Sequence, residues 1–105
     1  MLLVDDEVRV VDGLKKALYQ YRERWSVSAV TSARAALVEL ENGFDAVITD
    51  TRMPDMDGAA LLREVAERWP ATLRVVLTGD VGKANMERVQ PLTHHFVPKP
   101  ARAPT

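Results

Sequence analysis

Ala46-Val47-Ile48-Thr49-Asp50-Thr51-Arg52-Met53-Pro54-Asp55-Met56-Asp57-Gly58 is the stretch that decides the fold. Its apolar start reads as a buried strand, expected over Asp45 to Thr49, that delivers Asp50 to the strand's exit. A turn rich in Pro, Asp and Gly follows at once, and Asp57 is placed to cap a helix carrying Leu61, Leu62, Val65, Ala66 and Trp69, stopped by Pro70. A carboxylate at the carboxyl end of a central strand lies where open α/β sheets place their sites. Asp50 is therefore the candidate centre.

The same alternation extends in both directions. Leu2-Leu3-Val4 is a short apolar strand ending in Asp5 and Asp6. Val8, Val11, Leu14, Leu18 and Tyr21 recur at steps of three and four, which predicts an amphipathic helix. Ser26 to Val30 alternates and predicts a second strand. Thr31 or Ser32 caps a helix with Ala33, Ala36, Leu37 and Leu40 on one side, closed by Asn42-Gly43. Arg74 to Leu77 predicts strand four, Val81 to Val89 a weaker helix, and Phe96-Val97 a fifth strand ended by Pro98 and Pro100. Strands alternating with helices predict a doubly wound, five-stranded parallel α/β sheet, with right-handed crossovers bringing all carboxyl ends to one edge. Five strands with four helices leave one face of that sheet a helix short.

The chain has 105 residues, enough for one core and one domain, and its net charge of −1 leaves no broad basic footprint for nucleic acid. It has no cysteine, which excludes disulfides and thiolate metal sites. No apolar run approaches the length of a membrane span, and the start of the chain lacks a signal-peptide pattern, so a cytoplasmic protein is expected.

Strand one ends at Asp5-Asp6, strand three at Asp50, strand four at Thr78 and strand five just before Lys99. Three converging carboxylates repel one another, and a hard cation with oxygen ligands offsets that repulsion. Mg2+ is favoured because it takes few carboxylates and completes its shell with water and a phosphate oxygen. One carboxylate is then free to attack phosphorus, with Thr78 and Lys99 stabilising the transferred group. Taken singly, Asp5 and Asp6 read better as helix caps than as ligands, Asp50 reads also as a cap or turn residue, and Asp55 and Asp57 read as turn and cap residues rather than ligands. A P-loop over Leu77 to Ala84 fails at its first glycine, occupied by Leu77, and at its final hydroxyl, occupied by Ala84. His94-His95 would point to opposite sides of a strand, against a shared metal.

Together, Val4-Asp5-Asp6-Glu7, Asp50 with Met53-Pro54 and Asp57-Gly58, Leu77-Thr78-Gly79, and Phe96 with Lys99-Pro100 resemble the receiver domain of two-component response regulators over nearly the whole chain. The resemblance implies a flavodoxin-like fold and a phosphorelay function in which Asp50 accepts a phosphoryl group from a sensor histidine kinase or a phosphotransfer protein. It implies Mg2+ held by Asp5, Asp6, Asp50 and the backbone carbonyl of Arg52, with Thr78 and Lys99 at the phosphoryl group and a cis bond before Pro100. Thr78 and Phe96 would form the switch; Phe96 stands where many members have Tyr, so no hydroxyl takes part in the readout.

Such a domain catalyses only its own phosphorylation and dephosphorylation. Gly79 is expected to leave the phosphoryl site open to water, and Arg52 and Asp80 to meet across its mouth as an ion pair. Receivers end in a fifth helix, whereas only five residues follow Pro100, so a fragment of a longer chain is expected. Its output domain would be of the HD hydrolase type by the wording of Thr93 to Pro100, and dimerisation is left open. The competing reading is a receiver-like interaction module that is never phosphorylated. A small phosphohydrolase is disfavoured, since the chain offers no evident general acid for a leaving group.

Overall fold

A computed structural model describes residues 1–51, 53, 55–78 and 83–98. Nine elements alternate along the chain: β1 (Leu2–Val4), α1 (Val8–Leu18), β2 (Ser28–Val30), α2 (Ala33–Leu40), β3 (Ala46–Asp50), α3 (Gly58–Arg68), β4 (Leu73–Thr78), α4 (Lys83–Val89) and β5 (His95–Pro98). Single 3-10 turns follow α1 and α4, at Tyr19–Tyr21 and Gln90–Leu92. The strands form one parallel sheet in the order β2-β1-β3-β4-β5. The doubly wound five-stranded sheet expected from the alternation is thus the observed fold.

This strand order decides where the helices lie. From β1 the chain steps outward to β2, then crosses back to β3 and proceeds the other way to β4 and β5. With right-handed crossovers, α1 is the one helix among the described residues on one face, while α2, α3 and α4 share the other. The shared face is the dry one. Leu2, Val4 and Val47 pack there with Ala33, Ala36 and Leu40 of α2 and with Leu61 and Val65 of α3. Val76 joins Ala59, Leu62 and Val89 in an adjoining cluster, with Met86 and Leu92 against it.

Local chemistry sets the ends of the elements. Ser32 caps α2, its hydroxyl accepting from the Ala35 N–H at 3.1 Å. Gly43, at φ 86°, takes the left-handed turn beyond that helix and is the one positive-φ residue among those described. Asp57 caps α3 by accepting from the Ala59 N–H at 2.9 Å. Trp69 follows α3, packs on the core, and lies under the Arg68 guanidinium at 4.3 Å.

Several boundaries differ from expectation. The α-helical part of α1 stops at Leu18, and Tyr21, expected inside, is exposed and packs against Trp25 with ring centroids 5.0 Å apart. Val8 is 58% exposed, and Val11 is the buried residue of α1. The periodicity identified the inward stripe, but among the described residues no second helix lies on that sheet face to enclose the stripe's ends. β2 begins at Ser28 instead of Ser26, β3 extends through Asp50, and β4 extends from Leu73 through Thr78. β5 is exposed at all four positions, because it is an edge strand. The inward Val81, the Lys99–Pro100 bond and the segment 101–105 lie outside the described residues.

Candidate functional site

The sheet reverses its direction of progress between β1 and β3, the topological switch point at which open α/β sheets open a crevice beyond their carboxyl ends. Register places the chemistry there. Val4 pairs with Thr49, so Asp5 and Asp6 emerge beside Asp50, the last residue of β3. One carboxylate oxygen from each of Asp5, Asp6 and Asp50 lies within 4.8 Å of the others. Asp5 and Asp50 are buried, at 1% and 6% exposure, while Asp6 faces solvent.

The buried acids are oriented by neighbouring backbone. Asp5 Oδ1 accepts from the Glu7 N–H at 2.8 Å, and Asp50 Oδ1 accepts from the Thr51 N–H at 2.7 Å. Neither Asp5 nor Asp6 is the N-cap of α1, a position held by Glu7 without a side-chain cap bond. Two carboxylates out of water beside a third is a costly arrangement without a cation. The donors are all hard oxygens and one stays open to water, which fits Mg2+, an ion that binds through few carboxylates and retains part of its water shell.

Thr78 closes β4 at the same edge, opposite Pro98, and its hydroxyl donates to the Val97 carbonyl at 3.4 Å. Phe96 pairs with Val76 in register, which puts it on the same sheet face as Thr78, two positions back along the strands. Phe96 is 38% exposed. Thus Asp5, Asp6, Asp50 and Thr78 are brought to one edge, with Phe96 beside them. Lys99, Arg52, Gly79 and Asp80 lie outside the described residues. His94, weighed as a metal ligand, instead uses Nδ1 to accept the Arg74 N–H at 2.9 Å.

The turn that follows Asp50 is pinned at several points. Gly58 donates its N–H to the Thr51 carbonyl at 3.1 Å. A Cβ on Gly58 would lie 2.6 Å from Thr51 Cα and 2.7 Å from Thr51 O, so no larger residue fits without moving the backbone next to Asp50. Arg88 of α4 forms an ion pair with Asp57, joining α4 to the cap of α3. Asp55 leaves its own turn and accepts from the N–H groups of Ala33 and Arg34, at 3.1 and 3.0 Å. The Arg34 N–H, helped by that of Ala33, by the backbone of Asp55 itself and by the Arg34 charge, holds the Asp55 carboxyl below the ordinary aspartate value against the opposing cost of desolvation. The sequence marked Asp55 and Asp57 together as turn and cap residues, but nothing local could reveal that Asp55 serves a helix that begins 22 residues earlier.

The fold has clear counterparts. The response regulator receiver domain family matches residues 1–105. The hydrogenase transcriptional regulatory protein HoxA of Cupriavidus necator is 39% identical over 75% of this chain, and the C4-dicarboxylate transport transcriptional regulatory protein DctD of Rhizobium meliloti is 35% identical over 98% of it. The chain spans 16% of the length of HoxA and 22% of that of DctD. Among solved structures, the signal receiver domain of an HD domain-containing protein from Pseudomonas fluorescens Pf-5 superposes with a TM-score of 0.86 at 27% identity, covering 93% of this chain and 73% of that one. A CheY-like receiver domain from Methanospirillum hungatei gives a TM-score of 0.84 at 26% identity, covering 96% of this chain and 81% of that one. With its strand order, its switch-point carboxylates and a family match from end to end, the chain belongs to the receiver domains of two-component response regulators.

Proposed function

We propose that this receiver is a phosphorylation-controlled switch in which Asp50 is the phosphoacceptor. The observation that carries the reading is the meeting of Asp5, Asp6 and Asp50 at the switch point of the sheet. A carboxylate oxygen of Asp50 attacks phosphorus; the bond from phosphorus to the donor breaks, and the donor leaves as a neutralised histidine or as a carboxylate. The donor is a sensor histidine kinase, a phosphotransfer protein or a small acyl phosphate. Hydrolysis later adds water at phosphorus, releasing inorganic phosphate and restoring the carboxylate. Asp5, Asp6, Asp50 and the carbonyl of Arg52 would hold Mg2+, which when bound offsets the charge of the acids and of the incoming phosphoryl oxygens.

Thr78 and Lys99 would receive the oxygens of the transferred group, and Thr78 with Phe96 would report it, since both lie on one sheet face. Activation is then a shift between two pre-existing arrangements of that edge. Gly79, Arg52 and Asp80 would govern the access of water. The domain turns over no external substrate, and signalling within the cytoplasm fits this chemistry. No helix among the described residues is long and apolar enough to cross a membrane. HoxA and DctD are named as transcriptional regulatory proteins, and the Pseudomonas receiver belongs to an HD domain-containing protein. What they share is a receiver on a longer chain, and we propose the same for residues 1–105, with an output domain elsewhere in the parent protein.

The test is intact mass after incubation with acetyl phosphate, with and without Mg2+. One phosphoryl adduct that requires Mg2+ and disappears in Asp50→Asn is the expected result. Absence of the adduct, together with no response to beryllofluoride, would overturn this function in favour of a constitutive interaction module.

A further inference from the structure

We propose that Asp55 is a positioning residue for the metal and phosphoryl site, acting by fastening the turn after Asp50 to the first turn of α2. The inference rests on the proposed function and deepens it. Its basis is the division of labour at the start of α2. A helix leaves its first N–H groups without partners inside the helix. Ser32, the helix's own cap, takes the N–H of Ala35, while the Asp55 carboxylate takes those of Ala33 and Arg34. The bond to α2 is therefore two-pronged and charge-assisted, and it comes from a different loop.

The consequence for the site follows from chain connectivity. The turn is held at one end by Thr51, whose carbonyl receives the Gly58 N–H and whose own N–H bonds to Asp50. Met53 is buried in the core cluster shared with α2 and α3. Asp57 caps α3 at the far end. Asp55 adds the lateral attachment between Met53 and Asp57, so the short backbone span that follows Asp50 is tied to α2 as well as to α3. The expected ligand carbonyl of Arg52 lies in sequence within this span. A ligand set delivered by a tethered loop loses less freedom on binding the ion, which raises affinity. Outer partners of metal-ligating groups carry about 10- to 100-fold in affinity, and a tether one step further out is expected to carry about three- to tenfold.

The experiment is a Mg2+ titration followed by amide NMR at Asp6 and Thr51, in wild type, Asp55→Ala, Asp55→Asn and Ser32→Ala. Amide exchange at Ala33 and Arg34 is measured in the same samples before and after Mg2+. Asp55→Ala is expected to weaken Mg2+ binding about three- to tenfold. Asp55→Asn, which keeps a carbonyl oxygen as acceptor, should recover part of that loss. Ser32→Ala removes a cap from the same helix and so controls for simple destabilisation; its Mg2+ affinity should match wild type. By reciprocity of linkage, Mg2+ should slow exchange at Ala33 and Arg34 in wild type and leave it unchanged in Asp55→Ala. If wild type binds Mg2+ and Asp55→Ala binds equally well, or if Ser32→Ala weakens binding as much, the tether is overturned and the phosphoacceptor reading stands. If wild type itself binds no Mg2+ at these residues, both fail together.

Discussion

The two faces of the sheet are built from one set of strands and have opposite characters. On the face under α2, α3 and α4, Leu2, Val4, Val47 and Val76 are completely buried. On the other, Leu3, Val75 and Leu77 are buried near the centre, but Ile48 is only partly covered, Leu73 is exposed and Val97 is 40% exposed. Both faces carry apolar side chains from the central strands, so composition does not explain the difference. The number of helices does: among the described residues three cross one face and α1 alone crosses the other. A β-branched or leucine side chain contributes its burial energy only where an opposing layer excludes water. The acidic crevice nevertheless forms at the seam between the faces, because strand order and register position it.

This contrast is broken first by truncating one residue on each face. Leu61→Ala, in the fully buried cluster, is expected to lower stability by about 2–5 kcal/mol, whereas Val97→Ala on the open face should change it by less than about 0.5 kcal/mol. Urea unfolding of the two variants tests this; equal losses would show that the open face is covered in solution. The next effect is local to the site. Gly58→Ala forces a Cβ against the Thr51 backbone and is expected to cost about 1–3 kcal/mol through overpacking. It should also displace the Thr51 amide resonance, because the strain falls on the residue that bonds Asp50.

The smallest effect concerns pH. Asp55 titrates lower in the folded chain than in the unfolded one, principally through the Arg34 N–H, so its contribution is complete above the ordinary aspartate pKa of about 3.9 and fades as pH falls through the lowered folded value. The stability difference between wild type and Asp55→Asn should therefore stay constant from pH 7 to about pH 5 and shrink only in more acidic solution. A difference that shrinks already near neutrality would contradict the assigned bonds to Ala33 and Arg34.

Much of the molecule was legible because its signals are local. Capping by Ser32 and Asp57, the left-handed Gly43 and the buried strand before Asp50 each follow from neighbouring residues. The site was legible for a related reason: acids that end strands reach one edge once the sheet is parallel. What failed depended on partners remote in sequence. Val8 and Tyr21 fit the apolar stripe of α1 yet face solvent, since periodicity specifies a direction and not the presence of a neighbour. Arg88 meeting Asp57 had no sequence signal at all.

By itself, the sequence determined the alternation of strands and helices and the delivery of Asp5, Asp6 and Asp50 to strand ends. These follow from periodicity and turn chemistry over spans of a few residues. Only the tertiary structure decided how near the three carboxylates approach, which face of the sheet the described helices leave less covered, and that Asp55 serves a helix other than the one it precedes. Those outcomes depend on strand order, register and packing between residues far apart in the chain, which no local pattern encodes.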